Sequence, residues 1–386
     1  MTSKKHLFDI PEDVAYLNAA NMSPLLKSTN LAGKAAIDQK TNPFTIKSND
    51  FFEPLDNLKK MYAQLIEVEE PQRIVAIPSV SYGISTVTKN IKLKPEDEIL
   101  IIGEQFPSNV YAWKRLAADF KATIKTVHKP DESENCGKTW NDHILDAITE
   151  KTAVVTMGNI HWADGTIFNL KTINAKVKSL NALLIIDGSQ SIGALPFSVK
   201  ELEPDAVICA GYKWLLGPYS FGLAYYGPYF DNGIPIEENW SNRLNSENFA
   251  GLTNYEETYK PFSGRYNMGE NANFIAVPML LDSISQLLEW QPKNIQDYCH
   301  SISKHVIEPL KTLGCIIEKN EYRAKHLFGI KLPDGINLDK LKQEFEKNQV
   351  FIANRGTYIR ISCHLFSTTH DFDILLKSIE NVLNLN

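Results

Sequence analysis

The chain has 386 residues, of which 43% are hydrophobic and 22% are charged. A chain of this length exceeds one average domain and has enough apolar residues for a large core, so we expect a large domain with a smaller second one. Acidic residues outnumber basic ones by 46 to 40, and the lysines are scattered along the chain. This charge pattern argues against a nucleic-acid surface and against a polybasic membrane anchor.

The cysteines are few, odd in number and widely spaced, without a Cys-x-x-Cys pair: Cys136, Cys209, Cys299, Cys315 and Cys363. This spacing indicates neither a disulfide framework nor a zinc site, so no bound metal is expected. No uninterrupted apolar stretch approaches the length of a membrane span, and the basic residues at the start are not followed by the apolar segment of a secretion signal. The sequence therefore predicts a protein of the cytoplasm.

Short apolar runs alternate with helix-like stretches through the first part of the chain. Their length and β-branched content predict βα units, and hence an α/β domain with a mostly parallel sheet flanked by helices. The predicted strands are residues 73–77, 98–102, 122–127, 153–157, 182–186, 206–209 and 221–226. Ligands of such sheets collect beyond the carboxyl ends of the strands, so the residues that follow each run are candidates for a site.

After about Tyr226 the pattern changes, and a second, smaller α+β domain is predicted. The predicted elements there are a helix at 273–290, strands at 314–319 and 326–332, a helix at 338–348, a hairpin-like pair at 350–362 and a final helix from about Thr369. We expect three parts: an N-terminal segment (1–20) that packs with the small domain, a large cofactor-binding domain (21–264) and the small C-terminal domain (265–386).

Two of the predicted strands are followed by polar residues that can act together. Asp187 follows the run 182–186, and Lys213 follows the run 206–209 in the segment Ala-Gly-Tyr-Lys-Trp-Leu-Leu-Gly-Pro. A buried lysine can hold an aldehyde cofactor as a Schiff base, while a carboxylate binds the protonated ring nitrogen of that cofactor. Alone, Asp187 could be an ordinary turn residue and Lys213 an exposed loop residue. Together they predict pyridoxal 5'-phosphate.

These residues, with further segments in the same order, resemble the class V aminotransferase family of fold-type I pyridoxal phosphate enzymes, which includes cysteine desulfurases, kynureninases and isopenicillin N epimerase-like proteins. The resemblance starts at residues 16–24, Tyr-Leu-Asn-Ala-Ala-Asn-Met-Ser-Pro, and ends at residues 358–362, Tyr-Ile-Arg-Ile-Ser. It implies that Lys213 binds the cofactor and then moves the α-proton of the substrate. Asp187 would keep the ring cationic, Gln190 would bond the ring hydroxyl, Ser189 would lie against the ring and Tyr212 would contact the phosphate.

Two further segments are candidates for contacts with the cofactor. Ser79, Val80 and Ser81 follow a strand and open a predicted helix, whose N–H groups can bind a phosphate, although Ser79 could equally be a simple helix cap. Phe106 begins Phe-Pro-Ser-Asn, which resembles a kynureninase segment whose aromatic ring stacks on the cofactor. Taken alone, a phenylalanine after a strand is more often a core residue.

The remaining candidates are implied by their place in the family's order. Asn159 occupies a position near the ring hydroxyl and His161 one near the substrate, although each could be an ordinary loop residue. Arg360 resembles the arginine that binds the substrate α-carboxylate through two parallel hydrogen bonds; its alternative is a surface strand residue. Asn271 lies where relatives reach the phosphate of a neighbouring subunit, which implies a homodimer with shared active sites.

The expected function is that of an enzyme acting on an amino acid or another small amine, and an aminotransferase is the first choice because it needs only the lysine, the ring partners and the carboxylate clamp. Kynureninase-like C–C or C–S cleavage and epimerisation are alternatives on the same scaffold. A persulfide-forming desulfurase is disfavoured, since no cysteine-bearing loop precedes Arg360. A catalytically silent pyridoxal phosphate-binding protein would not need Arg360.

Overall fold

The computed structural model describes residues 1–130, 135–355 and 358–383. The strands are β1 (Ala15–Tyr16), β2 (Ile74–Ile77), β3 (Glu98–Ile102), β4 (Thr123–Val127), β5 (Thr152–Gly158), β6 (Leu183–Asp187), β7 (Ala206–Ala210), β8 (Gly222–Tyr226), β9 (Leu327–Lys331), β10 (Val350–Phe351), β11 (Ala353–Arg355) and β12 (Tyr358–Ser362). In the large domain these bounds agree with the predicted strands to within one or two residues.

Helices separate most of these strands. They are α1 (Lys27–Lys40), α2 (Glu53–Leu65), α3 (Val80–Lys89), α4 (Tyr111–Phe120), α5 (Cys136–Ala147), α6 (Leu170–Ser179), α7 (Val199–Leu202), α8 (Ala276–Trp290), α9 (Pro292–Thr312), α10 (Leu338–Lys347) and α11 (Thr369–Leu383). The only helical elements in residues 231–264 are short 3-10 turns. The predicted helix at 273–290 is α8, and α9 follows it directly because Gln291 has a positive φ of 64° and Pro292 opens the next helix.

The main sheet runs in the order β2-β8-β7-β6-β5-β3-β4 within the described residues. Strands β3 to β7 pair in parallel, and β8 is antiparallel to both of its neighbours, β2 and β7. This arrangement confirms the mostly parallel sheet predicted from the alternation of elements. Because β3, β5, β6 and β7 point the same way, the residues that follow them meet at one edge of the sheet.

Both faces of the sheet are buried. In β3, Ile99 and Ile101 belong to one apolar cluster, while Leu100 and Ile102 belong to the cluster on the opposite face. Side chains alternate across a strand, so a continuous apolar run fills both layers between the sheet and the helices. The core thereby fixes the strand ends that carry the polar candidates.

The C-terminal part contains a smaller sheet in the order β11-β12-β9, with antiparallel pairing throughout. The N-terminal segment contacts this part, since β1 pairs with β10 and the Ala19 N–H donates to Ser362 O at 3.2 Å. The proposed domain boundaries stay predictions.

The strand predicted at 314–319 does not form. Gly314 has a φ of +87° and closes the end of α9, and a 3-10 turn begins at Asn320. Only Ile316 remains to form a bridge, to Lys331. The apolar pattern was correct about burial, since Cys315 and Ile317 are buried, but the segment forms a single bridge instead of a ladder.

Candidate active site

Lys213 lies in a tight loop between the antiparallel strands β7 and β8. The Gly211 N–H donates to Phe221 O at 3.0 Å, and the Gly217 N–H donates to Gly211 O at 2.9 Å. A Cβ on Gly211 would lie 2.3 Å from Phe221 O, so a glycine is required where the two chains approach. The loop holds Lys213 at 8% exposure, with its amine facing a cavity at the edge of the sheet.

The cavity measures about 270 Å³ and collects most of the predicted cofactor residues. This volume is close to the lower end of small-molecule sites, roughly 300 Å³. Its predicted members are Ser79, Val80, Ser81, Phe106, Asp187, Ser189, Gln190, Tyr212 and Lys213. They come from four separate stretches of the chain, and the parallel strand ends bring them together.

Asp187 is the last residue of β6, and the Ser189 N–H donates to its Oδ1 at 3.0 Å. Ser189 also ties the neighbouring strand in place, because its hydroxyl accepts a hydrogen bond of 3.2 Å from the Ala210 N–H. Gln190 is held from both ends of its amide: Trp214 Nε1 donates to Oε1 at 2.9 Å, and Nε2 donates to Ala20 O at 3.1 Å. One amide hydrogen of Gln190 therefore remains for a ligand.

The first turn of α3 forms another wall of the cavity. The Ser79 hydroxyl accepts a hydrogen bond of 3.2 Å from the Tyr82 N–H and lies 2.9 Å from the Ser81 hydroxyl. Ser79 thus forms the helix cap given above as the simple alternative. The cap does not block the other free N–H groups of the first turn, which give this end of the helix a partial positive charge.

Aromatic side chains line the opening, and Trp162 is among those that were missing from the predicted set. Phe106 lies with its ring centroid 5.4 Å from the Lys213 amine, and Tyr212 with its centroid 5.6 Å away. Trp162 also lines the cavity and packs edge-on against Phe106 at 5.4 Å, while its indole N–H donates to Glu104 O at 2.6 Å. A tryptophan in a loop beyond β5 was the sequence signal, but loop tryptophans are too often core residues to be assigned from one sequence.

Arg360 lies behind Trp162, at 1% exposure. Its Nη1 donates to Trp162 O at 2.9 Å, whereas Nε and Nη2 are buried without a hydrogen-bond partner in the described part of the chain. Burial, together with Arg355, lowers the pKa of Arg360 to about 9. A buried guanidinium with two unused donor groups is costly unless a ligand satisfies it.

Four predicted residues do not line this cavity: Arg360, which lies behind Trp162, and the three described next. His161 is buried, with Nδ1 3.1 Å from Asp164 Oδ1 and Nε2 3.3 Å from Glu104 O. Asn159 borders a different cavity, and Asn271 donates to the Ser241 hydroxyl at 2.9 Å in a third. His161 thus supports the loop that carries Trp162, and the cofactor and substrate roles of all three stay predictions.

The environment of Lys213 favours its neutral form. Burial, together with the charges of Arg360 and Arg355, lowers the pKa of Lys213 to about 8 against the opposing effect of Asp187. An amine with this pKa is partly unprotonated near neutrality, which suits both attack on an aldehyde and proton transfer.

The described residues include all the cysteines, and none of them lines the cavity. Cys209 is the one whose pKa responds to Lys213 and Asp187, but burial raises that pKa far above its usual value, so the thiol is a poor nucleophile. Cys363 is fully buried, and its Sγ lies 3.6 Å from Lys325 O. The described residues contain no group of three potential metal ligands, and none of their helices is long and apolar enough to cross a bilayer.

The residues of the cavity fit an aldehyde cofactor with a ring nitrogen and a phosphate. A buried amine, a carboxylate on the next strand, an aromatic face and a helix N-terminus are the groups that such a molecule requires. The fold, with a lysine at the carboxyl edge of a largely parallel sheet, is that of the fold-type I pyridoxal phosphate enzymes. Comparison with known proteins makes this assignment specific.

Residues 41–370 match the family described as aminotransferase class-V, and the chain belongs to that family. A probable cysteine desulfurase of Borreliella burgdorferi is 23% identical over 385 residues, covering 90% of this chain and 85% of the relative. An uncharacterised aminotransferase of Schizosaccharomyces pombe is 21% identical over 344 residues, covering 85% and 82%. These matches confirm the family predicted from the sequence motifs.

Solved structures show the same fold. A variant of C-DES with glycine covalently linked to its pyridoxal phosphate cofactor superposes with a TM-score of 0.86 at 18% identity, covering 99% of this chain and 100% of that one. The cysteine desulfurase CsdA of Escherichia coli superposes with a TM-score of 0.82 at 15% identity, covering 99% and 98%. Pyridoxal 5'-phosphate is the cofactor of this family, as the Lys213–Asp187 pair predicted.

Proposed function

We propose that the protein is a pyridoxal phosphate enzyme that transfers the amino group of a small amino acid. The observation that carries this proposal is a buried lysine of lowered pKa in a cavity that contains a carboxylate and no cysteine. When bound, pyridoxal phosphate supplies an aldehyde that joins to amines and a ring that accepts electrons from the substrate α-carbon. The residues of the chain then have to position the ring, hold the substrate and move one proton.

Asp187 and Lys213 have complementary tasks in this proposal. The Asp187 carboxylate faces the cavity from a strand paired on both sides, so it can hold a protonated ring nitrogen without moving. The Lys213 amine, once displaced by the amino acid, takes the α-proton and returns it to another atom of the same system. The neutral form favoured by its surroundings is the form that accepts a proton.

The other walls fix the orientation. Phe106 covers one face of the ring and excludes water, and the first turn of α3 with Ser79, Val80 and Ser81 binds the phosphate. The unused Nε and Nη2 of Arg360 hold the α-carboxylate, which sets which bond at the α-carbon stands perpendicular to the ring. A silent binding protein would have no need for such a clamp.

The absence of a cysteine from the cavity supports a reaction that needs no thiol. A desulfurase of the persulfide-forming type requires a cysteine that can reach the substrate sulfur, and here the β11–β12 hairpin leads straight to Arg360. Gly356 and Thr357 lie outside the described residues, and neither is a cysteine. Relatives that are named cysteine desulfurases therefore share the scaffold but need not share the reaction.

A homodimer in the cytoplasm is part of the same proposal. Exposed apolar side chains are concentrated near the segment that leads to Asn271, including Trp240, Leu244 and Phe249. A cluster of exposed apolar side chains, unlike a single one, is typical of a protein interface, and here it suits a second copy of the chain. In the dimer, Asn271 would approach the cofactor phosphate of the neighbouring subunit.

The proposal is tested by a single-turnover reaction. The cofactor-loaded protein is mixed with each amino acid in the absence of a keto-acid acceptor, and keto acid, ammonia and the absorbance of the cofactor are followed together. A transaminase yields at most one keto acid per site and no ammonia, because the amino group stays on the cofactor. Adding a keto acid should restore the original absorbance.

The rival on this scaffold is a C–S lyase, as C-DES is a cystine C–S lyase of the same fold. A lyase would release ammonia and a sulfur product over many turnovers without an acceptor. That outcome would replace the aminotransferase proposal, and a protein that shows no spectral change with any amino acid would favour the silent alternative.

A further inference from the structure

A second arginine lies beside Arg360 on the small sheet. In the β11–β12 pair, Ala353 is opposite Arg360 and Arg355 is opposite Tyr358. Directly opposed residues in an antiparallel pair project from the same face, so Arg355 and Arg360 are diagonal neighbours on one face. Their Cα atoms are therefore expected about 7–8 Å apart.

Neither guanidinium has an acidic partner in the described part of the chain. Arg355 donates from Nη1 to the backbone oxygen of Asn354 at 2.7 Å, and its Nε is buried without a partner. Arg360 uses only Nη1, as described above. Burial is the main cause that lowers the pKa of each arginine, and Arg355 adds to the effect on Arg360. Two permanent like charges on one face destabilise the protein unless something anionic lies between or beside them.

The nearby acids are already engaged elsewhere. Asp164 lies 2.7 Å from Lys129 Nζ and 3.1 Å from His161 Nδ1. Burial alone would raise the pKa of Asp164, but His161 and Lys129 outweigh it and hold that pKa far below its usual range. Asp187 faces Lys213 and the position of the cofactor ring. Among the described residues of this region, the two arginines are therefore the cations that lack an acidic partner.

Trp162 lies between these two arginines and the cavity. The guanidinium carbon of Arg355 lies 5.1 Å from the centroid of the Trp162 ring, and that of Arg360 lies 6.0 Å from it. Trp162 itself lines the cavity that contains the Lys213 amine. Both arginines also act electrostatically on that amine. Both guanidinium groups therefore lie next to the Trp162 wall of the cavity that contains Lys213.

We propose that Arg355 binds a second anionic group of the substrate, so that the enzyme acts on an amino acid with an acidic side chain, such as an amino dicarboxylate. This inference rests on the proposed function, in which Arg360 holds the α-carboxylate. Arg355 and Trp162 then form a subsite for the distal carboxylate, with the indole ring against the carbon chain. The partly exposed guanidinium of Arg355 can bind this group without moving the buried clamp.

The test uses ligands that bind but cannot react. Glutarate and its monoamide have nearly the same shape and differ by one negative charge, and neither has an amino group. Their dissociation constants are measured by calorimetry on the cofactor-loaded protein, on Arg355→Gln and on Arg115→Gln, a control at an exposed position of α4. The visible absorbance of the bound cofactor verifies that each variant is folded and loaded.

We expect glutarate to bind the unmodified protein roughly 10- to 100-fold more tightly than the monoamide, as for a hydrogen bond to a charged group. Arg355→Gln should remove this preference and leave the affinity for the monoamide unchanged, whereas Arg115→Gln should keep the preference. Equal binding of the two ligands by the unmodified protein would overturn the inference.

Two other outcomes would also decide the matter. If Arg355→Gln weakens both ligands equally, both arginines hold the same carboxylate and there is no distal subsite. If the protein forms no absorbing complex with pyridoxal phosphate, the proposed function itself fails. A protein that binds the cofactor but has equal affinity for glutarate and its monoamide contradicts only the distal subsite.

Discussion

The sheet edge that carries Lys213 and the hairpin behind Trp162 present cations of different kinds. On the sheet side, Lys213 is buried next to a carboxylate, and its lowered pKa allows it to lose a proton near neutrality. On the hairpin side, Arg355 and Arg360 have no acidic partner, and a guanidinium keeps its charge in this pH range. The sheet side is suited to chemistry, because its charge can change. The hairpin side is suited to recognition, because its charge cannot.

This contrast predicts that changes on the sheet side alter rates, whereas changes on the hairpin side alter affinities. The strands on the sheet side are paired on both sides, so single side chains can be replaced there without moving their neighbours. The following variants are ordered by the size of the expected effect.

Lys213→Ala should have the largest effect. Loss of the proton-transfer group alone lowers the rate roughly 10²- to 10⁴-fold, and loss of the covalent attachment adds to this. The measurement is the single-turnover rate with a reactive amino acid, with Lys200→Ala, a lysine on an exposed helix, as the control. A rate within a few-fold of that of the control would assign proton transfer to another residue.

Asp187→Asn should have the next largest effect, on the rate rather than on substrate affinity. The amide cannot balance a positive ring nitrogen, and the loss of one charge-assisted hydrogen bond corresponds to about 1.5–3 kcal/mol, or roughly 10- to 150-fold in rate. Pre-steady-state kinetics separate the binding and chemical steps. An increase in KM without a change in kcat would instead show that Asp187 contributes to substrate binding and not to the chemical step.

The pKa of Lys213 predicts how cofactor capture depends on pH. Because burial first, and then the two arginines, lower this pKa to about 8, the rate at which cofactor-free protein captures pyridoxal phosphate should rise about tenfold per pH unit below 8 and level off above it. Stopped-flow absorbance from pH 6 to 9.5 measures this rate. A rate that still rises steeply at pH 9.5 would indicate an ordinary lysine.

The same shift links pH to the stability of the cofactor-free protein. The folded pKa of Lys213 lies below the usual 10.5, so between about pH 8 and 10.5 the unfolded state binds more protons. The contribution of Lys213 to the free energy of unfolding should therefore increase with pH in this window. Lys213→Met should lose this dependence in urea titrations at several pH values.

Ser79→Ala should have the smallest effect. The Ser79 hydroxyl caps α3, and loss of a helix cap costs about 1 kcal/mol of stability. Ser81→Ala removes a neighbouring hydroxyl that does not form this cap, so it is a matched control in urea unfolding. Equal losses of stability in the two variants would argue that the hydrogen bond between the two hydroxyls, not the cap, is what matters.

The sequence predicted the sheet side of the cavity better than the hairpin side. Strand ends follow from short apolar runs, and parallel strands bring their carboxyl ends together, so Asp187, Lys213 and Phe106 could be grouped without a structure. Trp162 and Arg355 could not. Their importance depends on which side chains they face across long stretches of chain, and a tryptophan or arginine in a loop has many ordinary roles.

Polar candidates that rested only on position show the same limit. His161 directly precedes the cavity residue Trp162 in the sequence, but its ring contacts Asp164 and packs edge-on against Trp140. The predicted strand at 314–319 is reduced to a single bridge between Ile316 and Lys331, although Cys315 and Ile317 are buried. Apolar periodicity reports burial well, but it does not report which polar contact a buried group will make.

The central claim, that Lys213 carries the cofactor, has a direct test. The protein is incubated with pyridoxal phosphate, reduced with borohydride to fix the bond between amine and aldehyde, digested and mapped by mass spectrometry. The account predicts one modified peptide, which contains Lys213, and loss of the label in Lys213→Ala. A label on a different lysine, or no label under conditions where the cofactor is bound, would contradict it.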